Sequence, residues 1–264
     1  MIHCLITIGS NRIFEGRNML RSVVPEHVKV HLLLRGNELR ESAILENVET
    51  QLWVESASLS EARNILIDEL RRKDLVKLND IVCFADDDGS WQENFHQRIY
   101  SAFSKDEKLV LGGYFPSEFE RDTIRFPEVN HPSLSMDQVL KMTSSLGIYM
   151  RGDLFLKVGY FNENLGLGGE IPVGEDTEFC VRAFRISRNA SYDHNLMQIH
   201  NYGSHESRID ASVSLIWFLV SRDLRILPLA LRRMIGIMHE SPRVSLARLI
   251  KSAWKGISAA VRKK

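Results

Sequence analysis

Cysteine is scarce in this 264-residue chain: Cys4, Cys83 and Cys180 are its three cysteines, and they lie far apart in the sequence. Cys4 and Cys83 stand inside apolar runs, and no two cysteines have the CxxC spacing of a thiolate metal site. These features argue against a disulfide framework and a cysteine zinc site, and they favour a reducing compartment.

Long hydrophobic runs are also missing. Residues 1–6 enter a strand pattern without a basic segment and a long apolar core, so no secretory signal is predicted. The longest apolar run near the C-terminus, residues 215–220, is much shorter than the roughly 20 residues that a transmembrane helix needs. We therefore expect a cytoplasmic protein without a membrane-spanning segment.

The formal net charge of the chain is zero, but its basic and acidic residues are unevenly distributed. The chain has 34 Lys and Arg and 34 Asp and Glu, of which residues 205–264 hold 12 and 4. Residues 1–204 therefore hold 22 basic and 30 acidic side chains, so this part carries about −8 and the tail about +8. Such a split indicates that the tail meets an anionic partner.

Strand and helix patterns alternate in the first half of the chain. Short apolar strands are predicted at residues 3–8, 28–34, 51–54, 81–85 and 109–111, and a further strand at residues 145–150 in the second half. Helices are predicted over residues 15–24 and after a capping box formed by Ser58 and Glu61. This order predicts an α/β fold with a mostly parallel central sheet flanked by helices. Because the pattern is wholly helical beyond His205, we predict a domain at residues 1–204 and a helical extension at residues 205–264.

Three consecutive aspartates, Asp86, Asp87 and Asp88, follow the apolar run at residues 81–85. Neighbouring carboxylates repel one another, and folding does not require three of them in a row. Mg²⁺ and Mn²⁺ prefer oxygen ligands, and open α/β sheets bind ligands at the carboxyl ends of their strands. The triplet therefore indicates a metal–diphosphate site. The alternative is a solvated acidic turn, which the Asp88-Gly89 pair would also suit.

A second acidic cluster, Glu175, Asp176 and Glu178, opens a predicted helix after a glycine-rich loop. Carboxylates in a first helical turn compensate the helix dipole, and this explanation needs no function. The functional interpretation is a carboxylate that takes a proton from a substrate hydroxyl in a cleft. Glycines at 168 and 169 would let a substrate approach the backbone, or they would serve only the turn.

Four short segments together resemble one enzyme family. They are Leu59-Ser60-Glu61-Ala62-Arg63-Asn64, Phe84-Ala85-Asp86-Asp87-Asp88, Gly159-Tyr160-Phe161-Asn162-Glu163 and Gly174-Glu175-Asp176-Thr177-Glu178-Phe179-Cys180-Val181-Arg182-Ala183. Each motif is weak alone, but their order and spacing resemble family 2 of the GT-A glycosyltransferases, the inverting enzymes that use nucleotide-diphospho-sugars. The resemblance covers roughly residues 3–202 and implies a GT-A, Rossmann-like domain.

The resemblance implies a role for each matched position. Asp86 and Asp88 would hold Mg²⁺ or Mn²⁺ against the donor diphosphate, with Asp87 close to the nucleotide. Asp176 would be the general base that deprotonates the acceptor hydroxyl, and Glu175 would position the acceptor or the base. The remaining implied contacts are Thr7, Arg63 and Asn64 to the nucleotide and His200 to the metal or diphosphate. For His200 the alternative is a half-buried histidine at a strand end.

Two departures from the family pattern concern the nucleotide. The second strand ends in Leu34-Arg35-Gly36-Asn37, where the family places an aspartate that contacts the base or ribose. The first strand ends in Thr7-Ile8-Gly9-Ser10-Asn11 instead of the common Pro-Thr-Tyr-Asn. We therefore expect the nucleotide to be held differently, with UDP as the first expectation for the carrier. Trp91, just past the aspartates, could stack on a sugar or pack against the following helix.

The C-terminal residues 244–264 show helical periodicity. The predicted apolar face consists of Leu246, Ala247, Ile250, Ala253, Trp254, Ile257, Ala260 and Val261. Basic side chains lie mostly around its polar side. A basic amphipathic helix that contains a tryptophan is typical of an interfacial membrane element, and the alternative is a helix packed on the catalytic domain. No recognition motif accompanies the charge, so nucleic acid is not an expected partner.

The sequence thus predicts a metal-dependent, inverting sugar transferase that is peripheral on the inner face of the plasma membrane. It would use a saccharide or lipid-linked acceptor in the synthesis of a surface polysaccharide or glycolipid. One alternative is a nucleotidyltransferase, for which residues 9–12 are a poor phosphate loop. The other is a non-catalytic sugar- or nucleotide-binding relic, and the presence of both acidic clusters argues against it.

Overall fold

The computed structural model describes residues 1–9, 12–23, 26–36, 48–116, 126–200, 209–240 and 246–261. The strands in this part of the chain are β1 (Ile2–Gly9), β2 (Val28–Arg35), β3 (Thr50–Val54), β4 (Ile81–Asp86), β5 (Gly89–Ser90), β6 (Leu109–Pro116), β7 (Ile148–Arg151) and β8 (Ser191–His200). The helices are α1 (Ile13–Ser22), α2 (Leu59–Arg72), α3 (Phe95–Ala102), α4 (Met136–Met142), α5 (Gly152–Val158), α6 (Glu175–Ser187), α7 (Ile209–Arg222), α8 (Leu227–Glu240) and α9 (Leu246–Val261).

One sheet joins these strands in the order β3-β2-β1-β4-β7-β6-β8-β5. The first four strands are parallel, as is the β6–β8 pair, whereas β7 runs antiparallel to both of its neighbours and β5 antiparallel to β8. The predicted α/β class and the parallel β1–β4 region are confirmed. The strand expected at residues 145–150 begins instead as a 3₁₀ turn, Ser145–Gly147, that leads into β7.

The central strands are buried on both faces, which explains their nearly continuous apolar sequences. Successive residues of β4 point to opposite faces, so Phe84 packs into one hydrophobic cluster and Cys83 into the other. Phe84 meets Phe161 and Phe179 edge to face, with ring centroids 5.1 and 5.8 Å apart. These aromatic contacts fasten the end of β4 to helix α6 and to the segment that precedes it, because their rings belong to all three.

Helices α2 and α6 begin beside the sheet's carboxyl edge. The predicted capping box is confirmed: Ser58 accepts a hydrogen bond from the Glu61 amide, and the Glu61 side chain accepts one from the Ser58 amide. Helix α6 starts after Gly174, whose φ of +87° lies in the left-handed region. A Cβ at Gly174 would overlap the Leu215 side chain of α7, so this position needs glycine for two reasons.

The C-terminal helices pack on one another and on the glycine-rich loop before α6. Phe218, Leu219 and Val220 of α7 share a hydrophobic cluster with Leu165 and Ile171 of that loop. Among the described residues, no helix combines the length and the apolar character needed to cross a membrane. The predicted boundary between residues 204 and 205 falls outside the described residues, so the division into two domains stays a prediction.

Helix α9 lies against α7 at close range. Gly256 faces the Ser214 carbonyl oxygen, which a Cβ at that position would overlap. The Ser214 hydroxyl in turn donates a 2.8 Å hydrogen bond to the Ser252 carbonyl oxygen. The buried face of α9 is formed by Leu249, Ser252, Ala253, Gly256, Ala259 and Ala260. Small side chains on this face let the two helix backbones approach.

Candidate functional site

The carboxyl ends of β1, β4 and β8 bring the first acidic cluster together with a histidine. Thr7 of β1 lies in register with Asp86 of β4, and His200 ends β8 opposite Gly89. The His200 Nε2 atom lies 3.0 Å from Asp88 Oδ1. Asp86, Asp88 and His200 each offer a ligand atom within 4.8 Å of the others, so the predicted metal ligands do converge.

This trio fits a divalent cation by its chemistry. Two carboxylates and one imidazole suit Mn²⁺, and the carboxylates suit Mg²⁺. Burial lowers the pKa of His200, but its hydrogen bond to Asp88 and the charge of that carboxylate raise the pKa above its ordinary value overall. Among the described residues, the buried His200 Nδ1 has no hydrogen-bond partner, so of the two ring nitrogens only Nε2 has one.

Arg12 binds the carboxylates of Asp87 and Asp88. Its Nη1 atom donates to Asp87 Oδ1 at 2.9 Å and to Asp88 Oδ2 at 2.8 Å. Asp87 also accepts a 3.2 Å hydrogen bond from the Gly9 amide, and burial raises the pKa of this carboxyl despite both donors. Asp87 therefore ties the end of β1 to the triplet. Its predicted place near the nucleotide stays a prediction.

Arg63 connects the two acidic clusters. The side chain is 3% exposed, and its Nη1 lies 2.7 Å from Asp176 Oδ1 and 3.4 Å from Glu175 Oε1. Its Nη2 lies 3.3 Å from Asp86 Oδ1. Burial lowers the pKa of Arg63, but the three carboxylates raise it overall, so the guanidinium stays charged. The sequence suggested a nucleotide contact for Arg63, whereas these observed partners are protein carboxylates.

The second cluster has more carboxyl groups than the single positive charge of Arg63 can neutralise. Burial and, after it, the charge of Asp176 raise the pKa of Glu175 to about 8, and together they outweigh the charge of Arg63, which lowers it. Burial also raises the pKa of Asp176, against the charge and hydrogen bond of Arg63. Glu175 thus carries a proton at neutral pH. Asp176 makes the shorter contact with Arg63, at 2.7 Å against 3.4 Å for Glu175.

Ser145 is a site residue that the sequence analysis missed. Its Oγ donates a 2.7 Å hydrogen bond to Asp86 Oδ2. Its backbone hydrogen bond also lowers the pKa of Asp176, so this one residue touches both clusters. A serine at the start of a predicted strand carries no signal for this, because the contact depends on where β7 inserts beside β4.

Asn64 is held by the backbone of the segment before α6. Its Nδ2 donates to the Phe161 carbonyl at 3.0 Å and to Glu163 Oε1 at 3.1 Å, and its Oδ1 accepts from the Phe161 amide at 2.8 Å. Through these hydrogen bonds Asn64 joins α2 to that segment. Its predicted nucleotide contact stays untested.

Three other positions from the sequence analysis have described surroundings. Trp91 is buried and packs against Phe95 at a ring-centroid distance of 5.1 Å, in agreement with the packing alternative. Arg35, at the end of β2, donates a 3.3 Å hydrogen bond to the Ala57 carbonyl, and burial lowers its pKa. Thr7 is buried at the end of β1, where its predicted contact with the nucleotide stays a prediction.

The glycine-rich loop docks on the start of α2. The Ser60 hydroxyl donates a 2.6 Å hydrogen bond to the Leu165 carbonyl, and the Leu59 amide donates a 2.9 Å bond to the Leu167 carbonyl. A Cβ at Gly166 would come within 2.9 Å of the Glu175 carboxyl carbon. The loop therefore lies directly against the second acidic cluster and forms one side of the site.

The sheet, its helices and the acidic edge together define a Rossmann-like α/β protein with a C-terminal helical extension. No protein-family model matches the chain, and no curated protein matches it significantly in sequence. The fold is similar to that of Staphylococcus aureus TarS: residues 1–349 of TarS align with a TM-score of 0.70 and 13% identity, over 99% of this chain and 81% of that one.

Other TarS structures give a similar result. A longer TarS structure aligns with a TM-score of 0.70 at 13% identity, over 98% of this chain and 49% of that one. TarS 1–349 in complex with UDP-GlcNAc aligns with a TM-score of 0.67 at 13% identity, over 98% of this chain and 82% of that one. At this identity the likeness establishes the fold alone.

Proposed function

We propose that this protein is a nucleotide-sugar glycosyltransferase of the GT-A, family 2 type, which transfers a sugar with inversion of configuration. The observation that carries the proposal is Arg63, whose guanidinium lies 3.3 Å from Asp86 and 2.7 Å from Asp176. The candidate leaving-group site and the candidate base would then lie on either side of one buried cation, which supports the proposal. A transferase needs these two functions within the length of one sugar.

On the donor side, Asp86, Asp88 and His200 would hold Mg²⁺ or Mn²⁺ at the sugar donor's diphosphate. The bound cation would neutralise the charge that develops on the nucleoside diphosphate as it leaves. TarS, which has a similar fold, has been crystallised with UDP and with UDP-GlcNAc. This supports UDP as the nucleotide to be tried first.

On the acceptor side, Asp176 would act as the general base. Its carboxylate accepts the proton of an acceptor hydroxyl, whose oxygen attacks the anomeric carbon while the bond to the diphosphate oxygen breaks on the opposite face. A pKa raised above that of an ordinary aspartate favours proton uptake near neutral pH. Arg63 and Ser145 would hold the carboxylate in place, and protonated Glu175 would donate a hydrogen bond to the acceptor or the base.

The biological setting follows from the same proposal. Residues 1–204 would form the catalytic domain and residues 205–264 an extension that meets the inner face of the plasma membrane. The acceptor would be a saccharide or a lipid-linked saccharide, which the enzyme extends in the synthesis of a surface polysaccharide or glycolipid. The basic excess of the extension supports a location beside an anionic surface.

The deciding experiment is an assay of the purified chain against a panel of nucleotide sugars that includes UDP-GlcNAc, with Mn²⁺ or Mg²⁺ and a set of saccharide acceptors. We expect transfer or slow hydrolysis with at least one donor, and a product of inverted anomeric configuration by NMR. Asp176→Asn should lower kcat by about 10²–10⁴-fold and leave nucleotide affinity within about threefold. Asp137→Asn, in the first turn of α4, is the matched control.

Two results would contradict the proposal. Retained turnover in Asp176→Asn would remove Asp176 as the base. A panel in which the folded protein neither binds nor turns over any nucleotide sugar would favour a non-catalytic protein, and release of pyrophosphate from a nucleoside triphosphate would favour the nucleotidyltransferase alternative.

A further inference from the structure

Helix α9 carries an apolar row that the fold leaves in solvent. Its members, called the α9 stripe below, are Leu246, Ile250, Trp254 and Val261, which are 57%, 58%, 69% and 63% exposed. Their spacing of four, four and seven residues places them within an arc of about 80° on a helix that turns 100° per residue. The four side chains therefore form one continuous line along the helix.

The stripe is separate from the face that α9 uses for folding. Ala253 and Ala260, which the sequence places on the same apolar face, are buried in contact with α7 and α8 residues. Helix α9 thus has two apolar faces, and α7 covers one of them. A helix on the surface of a globular protein normally turns polar residues outward, so a large apolar row that includes a tryptophan indicates a binding surface.

The charges around the stripe favour one occupant. Lys251 is exposed about 60° around α9 from the edge of the stripe and Lys255 about 100° from it, while Arg248 is bound to Asp210 at 2.7 Å. The sequence of residues 241–264 contains seven Lys and Arg and no Asp or Glu. Two copies of this surface would bring like charges together, which disfavours self-association. An anionic lipid surface offers both negative charge and an apolar layer for the stripe.

Trp254 is the most exposed member of the stripe. The indole of tryptophan prefers the boundary between headgroups and acyl chains, where its ring is apolar and its N–H is solvated. More exposed apolar side chains precede α9 in the same extension: Leu224, Leu231 and Ile235 are 75%, 47% and 68% exposed. Seven of the large exposed apolar side chains thus lie between residues 224 and 261.

We infer that the α9 stripe docks on an anionic phospholipid bilayer, with α9 lying in the plane of the interface. The apolar row enters the headgroup boundary, and Lys251, the nearer of the two lysines to the stripe, meets the lipid phosphates. This inference depends on the exposed residues of α9 and not on the reaction proposed for the acidic site. It gives the predicted membrane contact to four named side chains and leaves Ala253 and Ala260 of the predicted apolar face to helix packing.

The test is co-sedimentation of the full chain with vesicles of phosphatidylcholine alone and of equimolar phosphatidylcholine and phosphatidylglycerol. We expect binding to the anionic vesicles, weakened by salt, with a blue shift of tryptophan emission that Trp254→Phe removes. The double variant Ile250→Asp with Trp254→Asp should lower the partition coefficient by about tenfold or more. Leu78→Asp is the matched control, since Leu78 is an apolar side chain between α2 and β4 that is 63% exposed.

The outcomes separate the possible occupants. Equal binding by the double variant and the wild type, or equal binding to neutral and anionic vesicles, would overturn the inference. So would a dimer in size-exclusion chromatography that the double variant converts to a monomer, because the stripe would then be a contact between copies. Circular dichroism and thermal unfolding of both aspartate variants would verify that any loss of binding occurs in folded protein.

Discussion

Arg63 and Asp176 are 113 residues apart in the sequence, and their side chains form a 2.7 Å ion pair. The same guanidinium contacts Asp86 and Glu175, so one buried cation serves carboxylates from both acidic clusters. The position of the candidate base relative to the candidate metal ligands is therefore set by Arg63, and changes at this residue should affect the geometry of both.

Replacing Arg63 by Met should destabilise the fold strongly. The variant leaves buried carboxylates without their cation, and breaking a buried ion pair in this way typically costs about 3–5 kcal/mol. Without the cation the pKa values of Glu175 and Asp176 should lie further above their unfolded values, so the cost should shrink as the pH falls and both become protonated. Urea unfolding at two pH values measures both effects. Arg72→Met, a 68% exposed arginine on the same helix, should cost less than about 1 kcal/mol.

Equal costs for the two arginine variants would contradict this account of Arg63. A cost for Arg63→Met that does not change with pH would also contradict it, because the carboxylates would then not be its dominant partners.

Much of the fold was predictable because the relevant signals are local. The apolar run that ends in Asp86 is strand β4, and the Ser58 capping box starts α2. The contacts of Arg63 were not predictable, since they span 23, 112 and 113 residues. They depend on strand order, and in particular on the antiparallel insertion of β7 between β4 and β6, which also brings Ser145 to Asp86.

Helix α9 also shows what could not be predicted from the sequence. Helical periodicity correctly predicted that the apolar residues of α9 share a side, but periodicity does not say what covers them. The structure divides that side between α7 and solvent, so the packing and membrane alternatives apply to different residues of one helix.

Glu175→Gln should keep the fold and become more stable than the wild type in alkaline solution. The pKa of Glu175 is raised from 4.5 to about 8, so the folded state holds this proton more tightly than the unfolded state. Stability of the wild type should therefore fall as the pH rises from about 4.5 to about 8, and the variant should lack this component. Between about pH 6 and pH 9, the measured unfolding free energy of the wild type should fall by about 1–3 kcal/mol relative to that of the variant.

The matched control is Glu178→Gln in the same helical turn, whose partner is Arg182 at 2.8 Å. That variant loses an ion pair and should be less stable than the wild type in alkaline solution. If Glu175→Gln showed the same loss at high pH, Glu175 would be ionised in the folded protein and its assignment as the protonated member would be wrong.

Arg12→Ala should increase the affinity for Mn²⁺ in the absence of nucleotide. The Arg12 guanidinium binds Asp88, a candidate metal ligand, and a cation that enters the site must compete with it. Removing Arg12 should lower the Mn²⁺ dissociation constant by about threefold to tenfold, as measured by electron paramagnetic resonance of the free ion. Asp88→Asn should raise it by at least about tenfold. Weaker Mn²⁺ binding in a folded Arg12→Ala protein would contradict the competition.

Gly174→Ala should cost stability for two separate reasons. At Gly174 φ is +87° and ψ is +10°, so an alanine there takes on backbone strain of about 1–3 kcal/mol. Its Cβ would also overlap the Leu215 side chain. Adding Leu215→Ala to Gly174→Ala should remove the overlap and leave the strain, so the two changes should couple favourably in a double-mutant cycle. Thermal unfolding of the two single variants, the double variant and the wild type measures this coupling, and strictly additive costs would show that α7 yields to the added Cβ at no cost.

The close contact between Gly256 and Ser214 would help set the distance between a bound membrane and the acidic site. Backbone atoms of α9 and α7 meet there with no room for a side chain, and Leu215, one residue along α7, touches the glycine that starts the Asp176 helix. If the α9 stripe rests on lipid, the packed helices α9, α7 and α6 would span the distance from the bilayer to the candidate base Asp176. Acceptors would then be selected by how far their reactive hydroxyl projects from the membrane, as much as by their sugar.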